Sequence, residues 1–377
     1  MNIYEKSLEL HEKYEGKLAV VSKVPLETAD DLSTYYSPGV AEPCRQIASD
    51  PSLAYKYTWK KNTVAVVSDG TAVLGLWNIG WLASLPVMEW KAILFKEFGW
   101  IDAVPIVLST QDPQKIIEVV EAIAPTFGGI NLEDIGAPQC FMIEEELKKR
   151  LNIPVFHDDQ HGTAVVTLAG LINALKLAEK KLSEVKIVVS GAGAAGLPVV
   201  KLIALAGATN IIVFDSKGSI HSARTDLNDH KKEILHLNKN NETGSLAEVL
   251  VGADIFIGLS GQPDTIKAEE ISKMADKPII FALSNPDPEV HPLEAKKGWA
   301  FIIATGRSDF PNQLNNVLVF PGIFKGAFQN QLKQITDEHK IKAAYALANY
   351  TTNPSIEAIL PSPLDKNVAT IIANSLI

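Results

Sequence analysis

Residues 186–196 read KIVVSGAGAAG, a short apolar run followed by glycines at 191, 193 and 196, and the apolar stretch LPVVKLIALAGA comes next. The pattern is strand, glycine turn, helix. The first glycine permits the tight turn, the second lets a pyrophosphate approach the backbone, and the third lets helix pack on strand. The N-terminus of that helix then faces phosphate groups. Gly191, Ala192, Gly193, Ala194, Ala195 and Gly196 are therefore the candidate dinucleotide cradle. The following apolar run, IIVFDS, ends in Asp215, 19 residues past Gly196. A carboxylate there holds ribose hydroxyls and repels a 2′-phosphate, which favours NAD. Lys217, two residues on, keeps NADP open as an acceptor of that phosphate.

Working outward, ADIFIGLSG (253–261), PIIFALSNPDPEV (278–290) and AFIIATGRSDFPNQ (300–313) each run from apolar residues into Gly, Ser, Asn or Pro. That is the pattern of parallel strands whose C-terminal ends line a ligand crevice. Upstream, TVAVVSDG (63–70), AVPIVL (103–108), GGINLED (128–134) and IPVFHDD (153–159) read as strands, with AVPIVL buried. Helical stretches alternate with them. One runs from about Pro86 with Lys91 in its first turns, and another, over 163–180, opens the second half. Alternation of this kind implies a parallel sheet with crossover helices. A chain of 377 residues is long for one core. The expected fold is α/β in two domains: a smaller N-terminal α/β domain over 1–155, carrying the catalytic groups, and a Rossmann-type parallel-sheet NAD domain over 156–377.

Composition narrows the function. Hydrophobic residues make up 46% and charged residues 21%, ordinary for a globular chain. A net charge of −9 with no basic block argues against nucleic acid as the main partner. Two cysteines, Cys44 and Cys140, form no disulfide framework and point to a reducing compartment. The N-terminus, MNIYEKSLELHEKYEGK, lacks a signal-peptide core, and no run of about 20 apolar residues is present to span a membrane. The cytoplasm is the simplest home.

Two acid pairs, Glu133-Asp134 and Asp158-Asp159, each end a strand and can converge at one sheet edge. Oxygen ligands of this kind suit Mg²⁺ or Mn²⁺; acids at strand ends also cap the next helix. His157 and His161 lie close by, but the cysteines fit no zinc pattern. A dinucleotide, a divalent ion, a lysine and a tyrosine suit a reaction that activates a hydroxyl and stabilises an enolate.

YYSPGVAEPC, SDGTAVLGL, GINLEDI, VFHDDQHGTA, GAGAAG, FALSNP, ATGRSD and PNQLNNVLVFPGIF, in that order over nearly the whole chain, resemble the short bacterial malic enzymes. The resemblance implies oxidative decarboxylation of L-malate to pyruvate and CO₂ with NAD(P) and Mg²⁺ or Mn²⁺, in a homodimer. It assigns Tyr36 as the general acid and Lys91 as the general base on the malate hydroxyl. Glu133, Asp134 and Asp159 become metal ligands, and Asp158 a partner of the lysine. Asn285 and Asn316 become contacts to cofactor or substrate, with Asn315 beside them. A malolactic-type conversion to lactate, with NAD retained, is the rival reaction. The chain departs from the pattern at Trp77, Trp81, Trp90, Trp100 and Trp299. Glycine is usual at 77 and 90 in the family, and small residues are expected at 81 and 100. The rival outside catalysis is an NAD-binding protein impaired by this cluster.

Overall fold

The computed structural model describes residues 2–377. Its strands are β1 (Thr63–Ser68), β2 (Asp102–Val107), β3 (Gly129–Leu132), β4 (Val155–His157), β5 (Ile187–Ser190), β6 (Ile211–Asp215), β7 (Gly218–Ser219), β8 (Ile255–Gly258), β9 (Ile279–Ala282) and β10 (Ile302–Thr305). They form two sheets, one ordered β2-β1-β3-β4 and one ordered β10-β9-β8-β5-β6-β7. Every pairing is parallel except β6 with β7. The sequence reason is plain: β1, β5, β8 and β9 are made mostly of Val, Ile, Ala and Phe, and they and β3 (GINL) are buried along their whole length, as strands covered on both faces must be.

The helices before β4 are α1 (Ile3–Tyr14), α2 (Ala29–Tyr35), α3 (Ala41–Ser49), α4 (Ala54–Tyr57), α5 (Trp81–Leu94), α6 (Pro113–Ile123) and α7 (Gln139–Arg150). Then α8 (Asp158–Ala178) follows β4 without a loop, and α9 (Gly196–Leu205) follows the glycine turn. Four short helices come next: α10 (Asp229–Lys232), α11 (Leu246–Leu250), α12 (Ala268–Ile271) and α13 (Pro292–Lys297). The chain ends with α14 (Phe320–Gln329), α15 (Asp337–Tyr350) and α16 (Val368–Ser375). One continuous apolar core joins both sheets, and a second covers the other face of the larger sheet. Helix α8 is long and apolar enough to span a membrane, but 72% of its apolar window is buried inside the fold, and it packs against α9 and α15.

Four expectations change. Residues 102–107 form an edge strand, partly exposed rather than buried, and of the stretch 103–108 only Leu108 is buried. Pro105 fits there because an edge strand can spare one N–H. The Lys91 helix starts at Trp81, not Pro86, so Lys91 lies in its last turn. Pro86 inside a helix forfeits one backbone bond and costs about 3 kcal/mol. Burial of Ser84, Met88, Lys91 and Ala92 against the first sheet outweighs that. The helix expected over 163–180 begins at Asp158, because carboxylates at 158 and 159 complement the positive end of its dipole. Finally, β4 ends at His157 and carries the first sheet past residue 155. Up to Asn62, not one described residue is buried.

Candidate active site

Strand register builds the acid cluster. Leu132 of β3 pairs with His157 of β4, so the next two residues of each strand, Glu133-Asp134 and Asp158-Asp159, emerge side by side at the C-terminal edge. Carboxylate oxygens of Glu133, Asp134 and Asp159 lie within 4.8 Å of one another. The Asp134 backbone, at φ 54°, turns its N–H onto Asp159 Oδ2 at 2.8 Å. Asp134 Oδ2 is buried with no hydrogen-bond partner. Burial, then Asp159 and Glu133, push the Asp134 carboxyl well above the usual range. Convergent buried oxygens with one left unsatisfied are the donor set of a hard divalent cation.

Lys91 reaches into this cluster from α5. Its Nζ lies 2.7 Å from Asp158 Oδ2 and 2.8 Å from Glu133 Oε1, and 4.3 Å from the Phe320 ring centre. Burial alone would lower its pKa, but Asp158, Glu133 and Asp159 outweigh burial and hold it above the usual lysine value. The side chain is 7% exposed. Asp158 sits in the first turn of α8, where a Cβ on Gly162 would come within 1.9 Å of its Oδ1, so only glycine leaves that carboxylate in place.

Several supports escaped the reading of the sequence. Asn131, buried in β3, donates from Nδ2 to Glu133 Oε2 at 2.9 Å. Glu144 of α7 is buried and accepts from the His157 N–H at 3.1 Å; His161 Nε2 and Lys148 Nζ both lie 2.8 Å from its carboxylate. It thereby ties α7 to the root of the acid pair. Despite burial, His161 and Lys148 hold Glu144 well below the usual carboxylate range; burial itself pushes His161 down to about 4. The signal was an acid on the apolar side of a helix, which periodicity alone reads as an exception. Glu289, fully buried in the stretch NPDPEV, accepts from the N–H and Oγ of both Ser260 and Ser284, clamping the loops after β8 and β9.

The glycine turn divides its labour. Gly191, at φ 117°, has no room for a Cβ beside the Leu259 carbonyl, and a Cβ on Gly196 would strike the Gly191 carbonyl. Gly193 faces open space, where a phosphate can approach. Ala192 and Ala194 lie half-buried against the core beside it. Ala195 is the residue before α9. Asp215 ends β6 as expected, but its carboxylate is not free: Arg224 Nη1 lies at 2.8 Å, Lys231 Nζ at 2.6 Å and the Lys217 N–H at 2.9 Å.

The two halves meet at this edge. A Cβ on Gly75 would lie 2.8 Å from the Asn285 carbonyl, so the loop after β1 touches the loop after β9. Asn285 Nδ2 borders Gly306 after β10. The Asn316 side chain packs on Gly162, beside Asp158. Asn315 caps the next turn instead, accepting from the Val317 N–H at 2.9 Å. Tyr36 is not brought in: it is 68% exposed, and its hydroxyl makes no hydrogen bond among the described residues.

The tryptophans separate into two kinds. Trp77, Trp100 and Trp299 have φ of 60°, 61° and 67°, the region that favours glycine. Trp81 and Trp90 lie in the regular helix α5. Trp90 is 53% exposed while its neighbour Lys91 is buried, so it does not displace the lysine. The Trp77 ring rests on Gly261, on the loop after β8.

Residues 15–148 match the family model for the malic enzyme N-terminal domain, and 160–376 that for the malic enzyme NAD-binding domain. The chain belongs to the malic enzyme family. It is 52% identical to a bifunctional malic/malolactic enzyme of Bacillus subtilis, covering 100% of this chain and 92% of the relative. It is 51% identical to an NAD-dependent malic enzyme of Geobacillus stearothermophilus, covering 100% and 79%. Among solved structures, an NAD-dependent malic enzyme of Thermotoga maritima superposes with a TM-score of 0.95 at 49% identity, covering 98% of both chains. The α/β fold and the larger parallel sheet are thus those of malic enzymes, as expected from the glycine turn.

Proposed function

We propose that this malic enzyme oxidises and decarboxylates L-malate to pyruvate and CO₂ through Lys91, Asp158 and Tyr36, with a divalent cation held by Glu133, Asp134 and Asp159. The observation that carries this reading is the buried Lys91 ammonium, pinned between Asp158 and Glu133 beside three convergent carboxylates. A base on the malate hydroxyl must be able to become neutral. A cation held by Glu133 and Asp159 would offset two of the three carboxylates that raise the Lys91 pKa, while Asp158, the strongest of them, stays paired with the lysine; the cation, Asp158 and burial all bear on how readily the amine becomes neutral. When bound, that ion polarises the 2-hydroxyl and steadies the enolate oxygen. The glycine turn at Gly191, Gly193 and Gly196 would hold NAD(P), which would supply the acceptor for the C2 hydride, and Lys91 takes the hydroxyl proton. Loss of CO₂ from the resulting 2-oxo acid leaves an enolate, which a tyrosine protonates at carbon. Asp158 keeps the lysine in place.

Tyr36 lies outside this cluster within one chain. It sits on an N-terminal segment with no buried residue, where Ile3, Leu8, Val20 and Leu26 are each at least 70% exposed. So many exposed large apolar side chains on one segment point to a surface that a partner covers. A homodimer that covers it and supplies Tyr36 to the neighbouring active site accounts for both facts. Asn285 and Asn316 border the substrate from the second half. NAD is the preferred coenzyme, because Asp215 keeps a fixed carboxylate at the end of β6; Arg224, Lys217 and Lys231 around it let NADP serve as well.

The test is absorbance at 340 nm with L-malate, Mn²⁺ and either NAD or NADP, with pyruvate measured alongside. Reduced coenzyme and pyruvate rise together and both stop on adding EDTA. Lactate without net NADH would favour the malolactic reaction that the name of the Bacillus subtilis relative includes. NAD binding with no turnover would favour a site impaired by Trp77.

A further inference from the structure

The fully buried Glu289 carboxylate has no cation as partner among the described residues; four donors hold it instead. Its Oε1 accepts from the Ser260 N–H at 2.8 Å, from Ser260 Oγ at 3.0 Å and from Ser284 Oγ, and its Oε2 accepts from the Ser284 N–H at 3.2 Å. An ionised carboxylate offers two acceptor oxygens and no donor, so it satisfies all four, which a glutamine of the same length does not. Space is kept for it: a Cβ on Gly258, the last residue of β8, would lie 2.3 Å from its Cδ. Backbone pairing between β8 and β9 ends at Gly258 with Ala282, and beyond that pair the side chains of Glu289 and Ser284 join the two loops. Ser284 Oγ completes the link by accepting from the Gly261 N–H at 2.8 Å.

The joined loops face different parts of the site. The loop after β8 borders the glycine turn: the Leu259 N–H donates to the Ser190 carbonyl at 2.7 Å, and a Cβ on Gly191 would lie 2.3 Å from the Leu259 carbonyl oxygen. The loop after β9 carries Asn285, next to Ser284, and its carbonyl meets Gly75 of the first half. We propose that Glu289 is a positioning residue for hydride transfer, setting Asn285 relative to the dinucleotide cradle. The inference rests on the reading of Asn285 as a substrate contact. Misplacing reacting groups by about 1 Å costs a rate on the order of a hundredfold, so a link one residue from Asn285 bears on the chemical step. The cradle itself has independent support, since the Gly191 N–H donates to the Phe214 carbonyl of β6 at 2.9 Å. Loss of Glu289 therefore acts on turnover more than on coenzyme binding.

The experiment compares the full-length parent with Glu289→Gln, Ser284→Ala and the double variant at saturating Mn²⁺. Titration of NADH, followed by its fluorescence, counts folded sites and gives a Kd close to the parent's in each. Per site, kcat with L-malate falls about tenfold or more in Glu289→Gln. The isotope effect with malate deuterated at C2 is at least as large as the parent's. Ser284→Ala is the milder change and lowers kcat in the same direction. The double variant falls no further than Glu289→Gln, because both changes cut one link. A lower melting temperature with kcat per site unchanged would leave Glu289 a purely structural residue and overturn the proposal. So would a smaller isotope effect, losses that multiply in the double variant, or an NADH Kd that rises as much as kcat falls. If Glu289→Gln binds no NADH, Ser284→Ala decides by the same measure of kcat. A parent that does not turn over malate would overturn the reading of the site beneath this inference, whereas variants equal to an active parent would overturn the inference alone.

Discussion

Three tryptophans show what a backbone demands of a side chain. At Trp77 the angles are φ 60° and ψ −133°, a region open to glycine and closed to residues with a Cβ. Trp100 closes a helix in the left-handed conformation at φ 61° and ψ 28°, which costs a residue with a Cβ about 1 kcal/mol. Trp299 stands at φ 67° and is 81% exposed, so little packing offsets its strain. Replacing Trp100 and Trp299 with glycine raises the unfolding free energy by about 1 kcal/mol for each change, read as a higher urea midpoint at unchanged slope; a lower midpoint would mean that indole contacts outweigh the strain. Tryptophan and glycine codons can differ by one base. Peptide mass spectrometry of the protein from its natural source is expected to read glycine at 77, 100 and 299, and tryptophan there would refute this. The Glu144 cluster makes a second prediction. The folded-state pKa of Glu144 lies below its unfolded value, so its contribution is present above about pH 4.3 and is lost as pH falls further. His161, pushed down to about 4, acts with the same sign, because between about 6.5 and 4 only the unfolded chain gains its proton. The stability that the Glu144–His161 cluster contributes therefore falls on acidification from about pH 6.5. In Glu144→Gln the fall below about pH 4.3 is shallower, as chemical denaturation at several pH values would reveal.

Among the elements, the proposed coenzyme preference rests on the β6 end. Asp215 is buried against Arg224 and Lys231, so removing its carboxylate leaves two cations facing the ribose. Asp215→Ser raises kcat/KM with NADP relative to NAD by about tenfold, equivalent to about 1.4 kcal/mol. An unchanged ratio would show that the coenzyme is selected elsewhere. Helix α8 is mostly buried and opens on two acids. Its apolar sequence belongs to a core helix because α9, α15 and the first sheet surround it. Helix α5 tolerates Pro86 for the same kind of reason, since tertiary burial outweighs one missing hydrogen bond.

For the whole molecule, the question is which chain supplies Tyr36. If the site is shared between two copies, Tyr36→Phe and Lys91→Ala are each inactive alone. Mixing them under conditions of subunit exchange restores up to about a quarter of the parent rate, because half the dimers are hybrids with one intact site of two. No restoration, in a mixture shown to exchange subunits, would place Tyr36 in its own chain's site. Charge in the N-terminal segment should act on the same contact: Leu8→Glu with Val20→Glu gives monomers of low activity by sedimentation and assay.

Much of this protein was legible before folding. Parallel strands show as unbroken apolar runs, and a glycine turn of that spacing has one economical use. The acid pairs were readable because strand ends of a parallel sheet share an edge, and the register of Leu132 with His157 delivers them there. The Lys91 and Tyr36 roles came from resemblance alone, since one lysine or tyrosine in a helix looks like any other. Only the tertiary structure decided the rest. It buried Lys91 between two carboxylates, engaged Asp215 with two cations and left Tyr36 on an uncovered segment. Such outcomes depend on contacts between residues far apart in the chain, as Lys91 with Phe320 illustrates, and such pairings leave no periodic trace in the chain.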